Sequence, residues 1–129
     1  MEKTYAIEVT NLTHYYGKKN VFTNLNFNVL HGSIFGLLGK NGTGKTTTIN
    51  ILNGFLKPTS GHCKIYGEDS YKLSPKVKAD VGFLIEGHVQ YGFMDVRQIE
   101  KFYSGFYPKW DKEPYYELIS KLKITERQK

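Results

Sequence analysis

No other stretch of this sequence restricts the fold as much as Gly39-Lys40-Asn41-Gly42-Thr43-Gly44-Lys45-Thr46, which matches the pattern G-x-x-x-x-G-K-[ST]. The pattern carries meaning only as a loop between a buried strand and a helix, and both neighbours are legible. Before it, Ser33-Ile34-Phe35-Gly36-Leu37-Leu38 is an apolar run too short for a helix and bounded by glycines. Such a run predicts a strand buried on both faces. After it, the sequence predicts a helix over residues 44–53, with Ile49 and Leu52 on its inner face and Gly54 near its stop.

The residue types in the loop suit one kind of chemistry. Glycine permits the positive-φ turns that let successive backbone N–H groups converge on phosphate oxygens, and the following helix directs its positive N-terminal end at the same anion. Lys45 then supplies a point charge to the outer phosphates. The Thr46 hydroxyl, at the helix start, is placed to ligate a Mg²⁺ that bridges nucleotide phosphates. A chance match in a chain of this length is on the order of one in a few hundred. The fingerprint, a Walker A loop, spans ATPases, GTPases and small-molecule kinases, so it does not by itself choose a reaction.

Around the loop, β-formers at residues 4–10 and the apolar positions Phe22, Leu25, Phe27 and Val29 predict two strands. His31-Gly32 is a turn, residues 62–66 form a short strand, Ser74-Pro75 starts a helix, and residues 81–85 form another buried strand. Beyond Gly87, Val96, Ile99, Phe102, Tyr103 and Phe106 follow helical spacing. Asp111 then caps a second helix with Tyr115, Leu118, Ile119 and Leu122 inside. Core packing is the expected role of this aromatic stripe, with a partner-binding face for Phe102 and Phe106 as its rival.

Composition narrows the partners without naming one. At 40% hydrophobic and 23% charged residues the chain resembles ordinary globular proteins, and its 129 residues suit one domain or a piece of one. No apolar run approaches the roughly 18 to 20 residues of a membrane span, and the N-terminus lacks a signal peptide's apolar stretch, so a cytoplasmic location is expected. Cys63 is the single cysteine, which excludes an internal disulfide and suggests neither zinc nor a redox pair. The net charge of +6 is spread along the chain without a dense basic arm, which disfavours nucleic acid as a partner.

Four blocks in order carry a family resemblance: Leu12-Thr13-His14-Tyr15-Tyr16-Gly17, the stretch from Gly32-Ser33 through Lys45-Thr46-Thr47-Thr48, Gly54-Phe55-Leu56-Lys57-Pro58-Thr59-Ser60-Gly61, and Val81-Gly82-Phe83-Leu84-Ile85-Glu86. Together they resemble the opening of an ABC transporter ATPase, and Pro108-Lys109-Trp110-Asp111 is similar to bacterial exporter-type members. The resemblance implies an α/β P-loop NTPase fold of the ABC type. Residues 1–90 would be an antiparallel β-subdomain with the Walker A part of the ATP-binding core, and residues 91–129 the start of a helical subdomain. It implies ATP and Mg²⁺ as cofactors. Gly39, Asn41, Gly42, Thr43, Gly44, Lys45, Thr46 and Thr47 would hold the phosphates, and Tyr16, with Tyr15 as an easily confused neighbour, would stack on adenine. Thr46 and Glu86 would face the metal. Glu86 stands where the family usually has the Q-loop glutamine, and a carboxylate there adds negative charge near the triphosphate.

The family's signature sequence, Walker B strand, D-loop and switch histidine are not found in these 129 residues, and His88 reads as an ordinary loop histidine. The chain is therefore expected to be the N-terminal portion of a longer domain and to bind nucleotide without hydrolysing it. The parent would couple ATP hydrolysis to solute export through a membrane permease, as a homo- or heterodimer of ATPase domains on the inner face of the membrane. A soluble ABC protein acting on ribosomes or nucleic acid, and a non-catalytic nucleotide-binding module, remain as rivals. The Walker A and Q-loop strands are not neighbours in such cores, so the isolated chain is also expected to self-associate through unpaired strands or to stay partly unfolded.

Overall fold

The computed structural model describes residues 4–40, 42–84 and 92–128. These fall into two compact units, Met1–Lys78 and Ala79–Lys129. The division expected at residue 90 lies outside the described residues.

The first unit is built on a four-stranded antiparallel sheet of order β2-β1-β3-β4, with β1 at Tyr5–Tyr16, β2 at Lys19–Leu30, β3 at Ser60–Ile65 and β4 at Glu68–Asp69. Along β2 the residues from Leu25 to Val29 alternate between covered apolar and exposed asparagine side chains, the period-2 pattern of a sheet with one face inward. β1 runs well past the expected residue 10 because a bulge absorbs the break at Asn11. That residue adopts a φ of 48°, the register with β2 shifts between Val9 and Leu12, and its N–H is accepted by the Asn26 side-chain oxygen at 2.9 Å. Val9, Leu12, Val29, Cys63 and Ile65 form the buried core of the sheet.

Helix α1, Lys45–Leu52, forms as the sequence predicts but in a different phase. Ile51 is 1% exposed and Ile49 45%, so the inner face is made by the i, i+4 pairs Thr47/Ile51 and Thr48/Leu52. Both threonines lie on the buried side, a role that a count of apolar letters overlooks. The helix ends at Asn53, and Gly54, with a φ of 75°, turns the chain away. The Ser70 hydroxyl, in a 3-10 turn over Ser70–Lys72, donates to the Ile51 carbonyl at 3.0 Å and satisfies an acceptor of the last turn. Helix α2 is a single turn, Pro75–Lys78.

Two expected strands are not formed. Residues 33–38 and 81–84 have no ladder partner among the described residues, and Ile34, Leu38 and Leu84 are almost fully exposed; Ile85 lies outside the described residues. Phe35 stacks on Phe27, their ring centroids 5.2 Å apart. A strand exists by pairing, and pairing needs a neighbour that a local apolar run does not encode.

In the second unit, α3 spans Val96–Ser104 and α4 spans Lys112–Lys121. A full capping box starts α3: the Asp95 carboxylate accepts from the Gln98 N–H at 2.8 Å, and the Gln98 side chain accepts from the Asp95 N–H at 2.9 Å. Asp111 caps α4 as expected, accepting from the Glu113 N–H at 3.0 Å. Of the residues expected inside α4, Ile119 is buried and Tyr115 partly so, with its hydroxyl donating to the Val96 carbonyl at 2.8 Å. Leu118 and Leu122 are exposed, as are Phe102 and Phe106, whose rings meet edge to face at 5.3 Å. Among the described residues no helix is long and apolar enough to cross a membrane.

Candidate phosphate-binding site

The loop between residue 38 and α1 turns on two glycines, with φ of 84° at Gly42 and 97° at Gly44. Gly44 is the N-cap of α1, and its neighbours leave no room for a side chain: a Cβ there would lie 2.7 Å from Phe22 Cδ1 and 2.8 Å from Val21 Cγ1. β2 therefore presses directly on the loop backbone and sets where α1 begins. Thr43 closes the preceding turn, its N–H and hydroxyl both donating to the Lys40 carbonyl at 3.3 and 2.7 Å.

A helix start normally draws a Ser, Thr, Asp or Asn side chain onto its free N–H groups. Here no side chain caps α1, and its first turn holds no acidic residue. The N–H of Thr48 donates to the Gly44 carbonyl at 2.9 Å, while no described residue accepts from the N–H groups of Lys45, Thr46 or Thr47. Three donors thus converge at the positive end of the helix, the arrangement that holds an anion. Lys45 Nζ curls back to donate to the Gly39 carbonyl, which keeps the ammonium over the loop. The Thr46 side chain is exposed beside these donors, free to meet a hydrated cation carried by the anion.

Tyr16 and Thr47, far apart in sequence, are brought together: the Tyr16 hydroxyl and Thr47 Oγ1 are 3.1 Å apart. The end of β1 is thereby tied to the first turn of α1. Half of Tyr16 stays exposed, its ring meeting His14 edge-on at 4.7 Å. Tyr15, the neighbour from which it had to be told apart, instead donates its backbone N–H to Thr59 Oγ1 at 3.0 Å. Asn41 and Glu86 lie outside the described residues. Among the described residues no group of three or more His, Cys, Asp or Glu is placed to hold a metal by itself.

Sequence reading passed over three residues that shape the site. Val21 and Phe22 buttress Gly44, and Thr48 back-bonds to the Gly44 carbonyl through its hydroxyl at 2.8 Å. The run of three threonines after Lys45 is the only local signal for the last of these.

Comparison with known proteins agrees with this geometry. The family model described as "ABC transporter" matches residues 22–129. The bacitracin transport ATP-binding protein BcrA of Bacillus licheniformis is 45% identical over 80 residues, covering 62% of this chain and 26% of that protein. The Escherichia coli protein named "Probable multidrug ABC transporter ATP-binding protein YbhF" is 40% identical over 102 residues, covering 79% of this chain and 18% of its own length. Among solved structures, one titled "Structure of ATP binding subunit of ABC transporter" superposes with a TM-score of 0.80 at 23% identity, over 95% of this chain and 53% of that one. The chain thus spans about half of that structure and about a quarter or less of the two curated relatives. With an antiparallel sheet feeding a glycine loop at an uncapped helix, and a family model matched from β2 onward, the chain belongs to the ABC transporter family.

Proposed function

We propose that this chain binds Mg²⁺·ATP on the loop of residues 39–47, and that its parent couples ATP hydrolysis to export of a solute through a separate membrane permease. The uncapped start of α1 carries this reading, because three converging N–H donors without a side-chain acceptor are satisfied by the β- and γ-phosphates. Lys45 exchanges its bond to the Gly39 carbonyl for the outer phosphates, a charge-assisted contact roughly twice as strong as a neutral one. Thr46 offers its hydroxyl to Mg²⁺, and the metal, when bound, neutralises charge on the phosphate oxygens. The Tyr16 face receives adenine while its hydroxyl bond to Thr47 holds the ring beside the phosphate loop. By its place in the family pattern alone, Glu86 would be the Q-loop residue.

In the parent, two such ATPase domains close on nucleotide at the inner face of the membrane, held there by the permease. The names of the bacitracin and multidrug relatives support transport as the task. Turnover needs groups that position the attacking water, and the motifs that supply them in the family are not among these 129 residues. The chain alone accordingly binds without hydrolysing.

Calorimetry with Mg²⁺·ATP tests the reading through Lys45→Ala. The expected result is a loss of affinity of about tenfold or more, the scale of one strong charge-assisted contact, with an unchanged far-ultraviolet circular dichroism spectrum. Equal affinities for the two proteins would refute the assignment of the loop.

A further inference from the structure

The second unit contains a cleft that the nucleotide reading leaves unused. It has a volume of about 480 Å³, within the usual range for small-molecule sites, and its walls are the rings of Tyr103, Tyr107, Trp110 and Tyr115. Trp110 is central to them, its ring centroid 6.3 Å from both Tyr107 and Tyr115 and tilted to them by 34° and 54°. Asp80, Glu100 and Asp111 supply carboxylates to the same walls and Lys109 the one ammonium, which leaves the lining at −2 in a chain of net charge +6.

Two of these carboxylates are already engaged. Asp80 lies 3.5 Å from Lys109, and Asp111 caps α4. Glu100 is different. It is only 8% exposed, and its oxygens accept from two neutral donors, Trp110 Nε1 at 2.6 Å and the Tyr116 hydroxyl at 3.4 Å. No Lys, Arg or His among the described residues lies within ion-pair distance of it. Arg97 acts on the Tyr116 hydroxyl but does not line the cleft. A carboxylate so deeply covered and without a counter-charge is costly, and a cation brought against it offsets that cost.

We propose that this cleft binds a small organic cation of the quaternary ammonium type, held by the faces of Trp110 and Tyr107 and by the charge of Glu100. Its chemistry excludes the simpler candidate, a bare metal ion. Hard cations demand several oxygen ligands, whereas here the walls are mostly aromatic carbon and no group of three or more acidic, His or Cys side chains gathers among the described residues. An alkylated ammonium is weakly hydrated, fits a cleft of this size and is attracted to the negative face of each ring. The Trp110–Glu100 bond adds to this, because it holds the indole in place and an N–H donated to a carboxylate makes the ring richer in electrons.

Trp110 is the single tryptophan, so its emission reports on the cleft directly. The full chain would be titrated with choline and, separately, with its neutral tert-butyl isostere. A saturable emission change is expected with choline, with affinity about tenfold or more above that of the isostere, the contribution of a desolvated cation–π contact. Glu100→Gln, which keeps an oxygen for Trp110, is expected to weaken choline about tenfold while the circular dichroism spectrum is unchanged, and Tyr107→Leu to weaken it comparably. The proposal is overturned by an isostere that binds as well as choline, by no saturable change up to about 50 mM choline, or by a folded Glu100→Gln protein of unaltered affinity. Should Glu100→Gln fail to fold, unaltered affinity in Tyr107→Leu overturns it equally.

Discussion

Gly44→Ala separates the shape of the phosphate loop from its charge. Gly44 sits at φ 97° and ψ 10°, and an L-residue forced to positive φ costs about 1 to 2 kcal/mol. The added methyl would also stand 2.7 Å from Phe22 Cδ1 and 2.8 Å from Val21 Cγ1, well inside the roughly 3.5 to 4.0 Å of a favourable carbon contact. Val21 is stiff at χ1 and Phe22 is partly covered, so relief comes from shifting β2 or unwinding the first turn of α1, at about 1 to 3 kcal/mol. The sum, roughly 2 to 5 kcal/mol, is a large share of a domain's usual stability of about 5 to 15 kcal/mol. It should lower the thermal midpoint by about 8 °C or more. Melting followed by circular dichroism, alongside calorimetry with Mg²⁺·ATP, measures both consequences. The expected pattern is that Gly44→Ala loses stability and affinity together, whereas Lys45→Ala loses affinity at unchanged stability. A Gly44→Ala protein that melts within about 1 °C of the parent and binds nucleotide equally well would show that neither the backbone at Gly44 nor its contact with β2 shapes the site.

Burial first, and the nearby Asp69 carboxylate second, push the Cys63 thiol up from 9.0 to about 11. Because the unfolded chain ionises first, the stability tied to this thiol is full below pH 9.0 and is lost as pH rises through about 11, by up to about 3 kcal/mol. Urea midpoints should therefore fall more steeply over that window in the parent than in Cys63→Ala, and parallel curves would refute the shift. At the start of α3, Asp95→Ala removes the carboxylate half of the capping box, leaving the backbone N–H at 95 to donate to Gln98, and should cost about 1 kcal/mol, seen as faster exchange of the α3 amides, while unchanged exchange would show that the cap is idle.

Elements whose causes are local were legible in the order of residues. The alternation from Leu25 to Val29 made β2 readable, Asp111 announced the start of α4, and the glycine and lysine spacing marked residues 39–46 as an anion loop. Those signals work because hydrogen-bond capping, side-chain period and positive φ involve residues a few positions apart. Features that depend on a distant neighbour emerged in the folded chain alone. It set the phase of α1, with Ile51, Thr47 and Thr48 inward, because the partner surface of β3 and the Ser70 turn selects the buried face. It joined Tyr16 to Thr47 across 31 positions and placed Val21 and Phe22 against Gly44, contacts with no trace in spacing. The apolar runs at 33–38 and 81–84 show the same limit from the other side: their composition is that of buried strands, yet strand pairing is a bond between two segments, and neither segment meets a partner among the described residues.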